Sequence, residues 1–551
     1  MREKFGQGLG SASRLALAVV MFLGTVVRFW GIGHDLPFIY DPDEPTFVGG
    51  ALRMLHDHSL NPGWFGHPAS TTMDLLAATY TAIYAAGRLA GRFHGPVDLR
   101  NLYHSDPTVF YLSGRILSAV FGVAMIWLVF QVGRRVFSAR VGLLSALVVA
   151  ICPLLVASSQ NVRMDVSDAA LVLIAFWFSL DVLERGDAKA YLLAGLFTGL
   201  ATVTKFPAVT VALVVFAAHL MRSPKGAREH LKLGASAASS VVGAFAVAPF
   251  LFLRFSQVLS DVAHEARPSH LSHTGHGLWS NFAWYWTEVL PTALTVPGAL
   301  LAIAGIVICL SDARRDRKLT ALYPILFLFF ISALSLRWAR WAVPSIPFLA
   351  ITLSVPIVSL LPADARSPRK ASGRLLLGAA LAAWIVGSLG FRSVLDGMER
   401  AGESTQTVAR NWAIANIPKG SRLVLERYCP QFPKDMFTLF IVDEVNLVQF
   451  SQGDEHSRNS RPPGGNIGKL TRLRSLEGQA VQYMVLSDWY DRFVREGPEQ
   501  QDIVATYEQL MHAGRLLYEV KAERGRRSGP PIRIYQFDSR ALHAVASGDP
   551  Q

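Results

Sequence analysis

Eleven apolar runs, each close to the length a helix needs to cross a bilayer, recur through the first 391 residues and constrain the fold more than any other feature. They lie near residues 14–31, 113–132, 141–158, 167–183, 190–204, 206–221, 234–253, 288–310, 319–336, 342–361 and 374–391, and a spanning helix takes about 20 mostly apolar residues. With 51% of residues hydrophobic and only 17% charged, the pattern reads as a mainly α, polytopic membrane protein. The first run follows Arg2, Lys4 and Arg14, lacks a small-residue cleavage site and carries Arg28 and Trp30 near its end. That is the pattern of an uncleaved signal anchor.

Charge orients the spans. A net charge of +12 would point to nucleic acid in a soluble protein, but here the excess sits in loops, and cytoplasmic loops collect Lys and Arg. With the amino terminus inside, the groups Arg134/Arg135/Arg140, Arg222/Lys225/Arg228/Lys232, Arg314/Arg315/Arg317/Lys318 and Arg366/Arg369/Lys370/Arg374 all face the cytoplasm. No nucleic-acid partner is expected. The segment Thr71–Ala90 is apolar but contains Asp74 and Arg88, and counting it as a span would turn every later basic loop outward. It is therefore predicted as a juxtamembrane helix within a large first outer loop, residues 33–112.

Beyond residue 391 no run of spanning length follows. An odd number of passes places residues 392–551 outside, and short strand-like runs (422–425, 438–442, 481–486, 515–520, 532–537) alternate with helical stretches such as 403–417. They predict a small extracytoplasmic α/β domain. Cys152, Cys309 and Cys429 are far apart and support neither a disulfide framework nor a cysteine metal site.

On this map the carboxylates of Asp41, Asp43 and Glu44, directly after the first span, share the outer face with Arg163 and Asp165. Lys205, between the fifth and sixth spans, and Arg340, where the ninth meets the tenth, join them there. Ionisable groups at membrane depth are functional candidates by default. Carboxylates facing cations suit glycosyl transfer from a lipid phosphate: one carboxylate takes the proton of an acceptor hydroxyl, while Arg or Lys holds the phosphate as it leaves. Arginine's planar fork suits phosphate in particular.

The order Asp43-Glu44 after span one, His67-Pro68, Arg115-Ile-Leu-Ser-Ala, Arg163-Met-Asp165, Gly199-Leu-Ala-Thr-Val-Thr-Lys205-Phe and Arg340-Trp-Ala-Val-Pro344-Ser-Ile-Pro347 resembles the GT-C superfamily of membrane glycosyltransferases. The likeness is nearest to the glycosyltransferase 39 type, with its protein O-mannosyltransferases and lipid A aminoarabinose transferase, and covers roughly the first two thirds of the chain. It implies a GT-C catalytic domain over residues 1–391 of an inner (plasma) membrane protein. It also implies an inverting enzyme that moves a hexose or pentose from a polyprenyl-phosphate carrier to a lipid, glycan or protein acceptor, on a hydroxyl or phosphate. The family's first-loop aspartate maps onto Asp43, or onto Asp41 if the flanking carboxylate is used, with Glu44 as a further helper, and its second acidic position maps onto Asp165. Arg163, Lys205, Arg340 and His67 are the expected substrate-binding residues.

Plainer readings exist for the same residues. The first-loop acids suit capping of a helix starting near Thr46. Arg163 and Asp165 can pair at the surface, and Lys205 and Arg340 can snorkel to headgroups of the surrounding lipids. His270, His273 and His276, with His264, crowd one outer loop and make a divalent metal ion a candidate cofactor, although Pro268 and Gly275 interrupt any helix that would align them. The rival function is a transporter or flippase for lipid-linked sugars. Transporters commonly show internal repeats and mid-membrane sites, and no repeat is evident here.

Overall fold

The computed structural model describes residues 10–361, 368–443, 446–449, 466–470, 474–497 and 500–537; Arg2, Lys4 and Arg366 of the predicted basic groups lie outside them. The chain divides into two compact units, one of Met1–Ile32, Gly50–Ser105 and Val109–Val394, the other of Gly33–Gly49, Asp106–Thr108 and Leu395–Gln551.

The first unit is helical. It begins with α1 (Ser11–Phe29); α2 (Glu44–His56), α3 (Ser70–Leu89) and α4 (Pro96–Ser105) occupy the predicted first loop. Then come α5 (Thr108–Val136), α6 (Ala139–Ile151), α7 (Pro153–Ser159), α8 (Asp165–Glu184), α9 (Ala188–Thr204), α10 (Val211–Arg222) and α11 (Ala227–Val247). Two short helices, α12 (Phe250–Leu253) and α13 (Phe255–Glu265), lead into α14 (Leu278–Trp284), α15 (Leu290–Leu294), α16 (Val296–Ser311), α17 (Arg315–Ser332), α18 (Ile346–Leu360) and α19 (Pro368–Ala401).

Every predicted span falls on a helix, yet two are not straight. The run at 141–158 bends by 60° between α6 and α7, and the run at 288–310 by 114° before α16. The first bend follows from Pro153, which has no N–H to continue the ladder. At the second, Thr295 takes φ 69° and its hydroxyl accepts from the Gly298 N–H at 3.2 Å, which ends one helix and caps the next. Among the described residues six helices are long and apolar enough to span, or eight if each bent pair counts once. Of the other predicted spans, α9 and α10 are short, and α17 opens on Arg315, Asp316, Arg317 and Lys318.

Burial ranks these helices. In α8, 78% of the spanning window is buried against 17% in α1, so α8 is an inner helix whose polar groups face protein. Around it the core packs aromatic edges onto faces: Phe176 meets Phe348 at 4.9 Å and Phe348 meets Tyr323 at 4.6 Å. On α9, Gly195 and Gly199 form a small-residue stripe against α11, where a Cβ would overlap the carbonyl oxygens of Ser236 and Ser240.

At the C-terminal end of α1, Arg28 is fully buried. Its guanidinium donates to the carbonyls of Ala150 (2.7 Å), Val149 (3.0 Å) and Gly24 (3.0 Å). The first two belong to the end of α6, where the bend leaves carbonyls without helical partners. In return Gln160 donates through Nε2 to the carbonyls of Val27, Arg28 and Trp30. Each broken end is thus met by the other element.

The second unit is an α/β domain with a six-stranded sheet in the order β3-β2-β1-β4-β6-β5. Its strands are β1 (Arg422–Leu425), β2 (Thr438–Asp443), β3 (Asn446–Gln449), β4 (Tyr483–Leu486), β5 (Arg515–Val520) and β6 (Ile532–Gln536). β1 runs parallel to β2 and β4, and the remaining pairs are antiparallel. Helices α20 (Thr405–Asn416), α21 (Arg474–Gly478), α22 (Trp489–Glu496) and α23 (Gln501–Ala513) complete it. Trp412 of α20 stacks on Tyr518 at 4.6 Å. The segment 33–49 belongs to this unit: Gln431 Nε2 donates to the Ile39 carbonyl at 3.0 Å, and the Arg410 guanidinium lies 4.4 Å over the Phe38 ring. Five strands follow the sequence reading closely, and β3 is additional.

Candidate active site

The predicted site residues fall in both units. In the second, Asp41, Asp43 and Glu44 form the turn into α2. Asp41 Oδ1 accepts from the Asp43 N–H at 2.9 Å and the Glu44 N–H at 3.4 Å, so Asp41 caps a helix that begins at Glu44, two residues before the predicted Thr46. Glu44 is fully buried in its first turn. The cap and the short Pro42 spacing hold the Asp43 carboxylate on a fixed backbone.

In the first unit the remaining candidates gather around α8 and α9. Asp165 opens α8, Lys205 is the C-cap of α9, and the ammonium reaches the carboxylate at 2.5 Å with both side chains almost wholly buried. Each charge matches the helix end that carries it, because an N-terminus favours an anion and a C-terminus a cation. Arg340 and Arg163 lie close enough to act on the same carboxylate. Arg340 sits in a 3-10 turn, Ala339–Ser345, with its guanidinium 4.8 Å over Trp338.

Backbone ties bring the His67 loop to the same end of α9. The Ala69 N–H donates to the Thr204 carbonyl at 3.1 Å, Thr204 and Thr71 hydroxyls meet at 2.8 Å, and Thr72 meets Ser167 of α8 at 2.9 Å. His67 itself lies 3.6 Å from Glu265 and edge-on to Trp64.

Sequence reasoning passed over Asp168. It follows Asp165 by one turn, is fully buried, and neither carboxylate oxygen has a hydrogen-bond partner among the described residues. Lys205 is an opposing charge that acts on it. The signal was available: an acid inside the apolar run Val166–Leu180. Arg115, quoted only as part of a motif, is likewise buried and donates to the Ile32 carbonyl at 3.1 Å.

The histidine loop is organised differently from a metal site. Residues 273–275 pair with 335–337 through the Arg337 N–H to His273 carbonyl and Gly275 N–H to Ser335 carbonyl bonds. The His270 and His273 rings pack on Trp338. Among the described residues no three His, Cys, Asp or Glu side chains come together as a ligand set, so no step below is routed through a metal.

Comparison with known proteins bears on the fold and on the family resemblance. A family model described as dolichyl-phosphate-mannose-protein mannosyltransferase matches residues 111–252, a stretch that contains Arg163, Asp165, Asp168 and Lys205. The fold is similar to ArnT from Cupriavidus metallidurans in the apo state, with TM-score 0.53 and 16% identity over 98% of this chain and 100% of that one. It is also similar to the same protein bound to undecaprenyl phosphate, with TM-score 0.52 and 15% identity over 98% and 99%. The comparison with curated proteins gives no match. The family match within the spans and the likeness of fold along the whole chain show that the chain has the fold of the solved ArnT, and both are consistent with the GT-C resemblance that its motif order carries.

Proposed function

We propose that the chain is an inverting glycosyltransferase that moves a sugar from a polyprenyl-phosphate carrier to a hydroxyl or phosphate acceptor on the outer face of the plasma membrane. The reading rests chiefly on the buried Lys205–Asp165 pair with Arg163 and Arg340 in electrostatic reach. Three basic side chains gathered about Asp165 offer an anionic ligand several charge-assisted hydrogen bonds, and arginine's fork suits a phosphate in particular. The solved ArnT with undecaprenyl phosphate makes a polyprenyl phosphate the carrier class we assign.

In the donor the sugar–phosphate link is a phosphodiester carrying one negative charge. As the bond from C1 to the phosphate oxygen breaks, its electron pair stays on that oxygen and the carrier departs as a phosphomonoester with a second charge. Lys205, Arg163 and Arg340 therefore gain more in the transition state than in the ground state, the condition for catalysis. The acceptor oxygen attacks C1 from the opposite face, inverting it, and its proton passes to Asp43. Asp41 holds the Asp43 backbone through its cap, Glu44 assists as a neighbouring acid, and Asp165 orients the acceptor while holding Lys205. His67 completes the substrate contacts.

Membranes supplied with radiolabelled polyprenyl-phosphate sugar test the scheme. Transfer per unit of inserted protein is expected to fall about 10²–10⁴-fold in Asp43→Asn, as for loss of a general base, and about 10²–10³-fold in Lys205→Ala, as for loss of a charge-stabilising donor. Undiminished transfer in both variants overturns the reading.

A further inference from the structure

Arg340 is reached through an irregular stretch of chain. Between the end of α17 at Ser332 and the 3-10 turn that opens at Ala339, residues 333–338 belong to no helix or strand, so the backbone that carries Arg340 is fixed by what pairs with it. The histidine loop supplies that pairing. Gly275 donates its N–H to the Ser335 carbonyl at 2.8 Å, the Arg337 N–H donates to the His273 carbonyl at 2.9 Å, and Thr274 and Leu336 face each other in an antiparallel bridge. A Cβ on Gly275 would stand 2.7 Å from the Ser335 carbonyl oxygen, so the two segments approach as closely as a glycine allows. Fully buried Asn281 of α14 ties both together, accepting from the His276 N–H at 3.0 Å and donating to the Ser332 and Leu334 carbonyls at 3.0 and 3.1 Å. The Tyr285 hydroxyl donates to the Trp338 carbonyl at 3.3 Å.

Side chains continue this brace toward Arg340. The His273 ring lies 3.4 Å from the Trp338 indole and within 17° of parallel, and His270 meets the same indole edge-on at 5.2 Å. The Arg340 guanidinium lies 4.8 Å over that indole. A long side chain loses rotamer freedom when a ligand pins it, and a site that pins it beforehand binds its ligand at lower cost. An aromatic ring suits this task for arginine: the contact draws on the charge of the guanidinium rather than on its N–H fork, so Trp338 can hold Arg340 while the fork is offered to a phosphate.

We infer that Trp338 and His273 are positioning residues for Arg340, holding its guanidinium where the phosphate of the lipid carrier arrives. The identity of that phosphate rests on the transferase reading; the brace itself rests on the stack and the paired backbone. It gives the histidine loop a use that requires no metal, because its rings act as packing surfaces.

Binding of radiolabelled farnesyl phosphate to the full-length protein in nanodiscs tests the brace without requiring turnover. Arg340→Ala is expected to weaken binding about tenfold or more, as for loss of a charge-assisted hydrogen bond. Trp338→Leu and His273→Ala should each weaken it about two- to fivefold, the size of a cation–π contact, and His273→Phe, which keeps a flat ring on the indole, should bind like the parent. In an Arg340→Ala background neither Trp338→Leu nor His273→Ala should weaken binding further, whereas general damage to the fold would add to the loss. If Trp338→Leu fails to insert, His273→Ala carries the same cycle. Losses that recur undiminished without Arg340, single variants that bind like the parent, or binding indifferent to Arg340→Ala overturn the inference. A cycle that closes on Arg340 in a protein that transfers no sugar keeps the brace and removes the transferase reading; transfer that falls in Asp43→Asn and Lys205→Ala, with additive losses in the cycle, removes only the brace.

Discussion

Lys205 and Asp165 are each costly to bury alone, and the 2.5 Å contact between them is what makes the C-terminal end of α9 tolerable beside α8. Removing one partner of a buried pair leaves an uncompensated charge and costs about 3–5 kcal/mol, whereas removing both is far milder. Asp165→Asn and Lys205→Met are therefore each expected to lower the thermal stability of the purified protein markedly. The double variant should recover much of the loss, and additive losses would show that the pair is not coupled. Glu426, in the second unit, makes the opposite kind of statement. Burial pushes its carboxyl up to about 7 although Tyr507 and Ser487 hydrogen-bond it. Raised above its ordinary value, it favours the fold fully at pH below that value, and the benefit is lost as pH climbs through 7, on the order of 3 kcal/mol in all. Protection of β1 and β4 amides from hydrogen exchange, corrected for intrinsic rates, should fall from about pH 5 to 8 in the parent and stay level in Glu426→Gln. At this scale the sequence exposed charges that interrupt apolar runs at their ends, Arg163, Asp165 and Lys205 among them. Asp168 carried the same signal from inside its run and was overshadowed by Asp165 at the run's edge, whereas Glu426 was hidden because a single acid after a four-residue strand has no periodic signature.

An element is positioned by what its neighbours forbid as well as by what they offer. The Gly195/Gly199 stripe lets α9 lie against the backbone of α11 at Ser236 and Ser240, and Lys205 caps the same helix six residues beyond Gly199. Gly199→Val forces the helices apart, an overpacking cost of about 1–3 kcal/mol. Transfer activity is expected to drop further than stability does, with Gly199→Ala intermediate; thermal unfolding and the membrane assay on the same preparations separate the two effects. Hydropathy placed all eleven predicted runs on helices, of which six to eight among the described residues are long and apolar enough to span, because it is a property of composition along the chain. Direction is not, so the bends at Pro153 and Thr295 needed the local chemistry of a missing N–H and a positive φ. The two-residue earlier start of α2 was missed for a related reason: Asp41 caps from outside the helix, and Asp, Pro, Asp and Glu in a row offer several equivalent starting points.

For the molecule as a whole, the alternation of basic loops predicts a cytoplasmic amino terminus and an extracytoplasmic second unit. A membrane-impermeant maleimide applied to intact cells should label Arg526→Cys, an exposed position of that unit, and should label Arg314→Cys only after permeabilisation, both in a background without the native cysteines. The reverse pattern would turn every assigned site residue to the other compartment. The five predicted strands of the second unit were legible from β-branched and aromatic runs bounded by turns. Their order was not, since the parallel core β2-β1-β4 depends on long connections that leave no local mark, and the membership of Gly33–Gly49 in that unit is a contact across more than half the chain. The interlock of Arg28 with the end of α6 spans a shorter gap, and it has a consequence for biosynthesis. The acceptor carbonyls lie 121 and 122 residues downstream, which at about 5–20 residues per second leaves the nascent first helix holding an unmatched guanidinium in lipid for on the order of ten seconds. Ribosome-stalled chains ending near residue 140 should accordingly release more readily into alkaline extract than chains stalled near residue 220, where the clasp has had time to close.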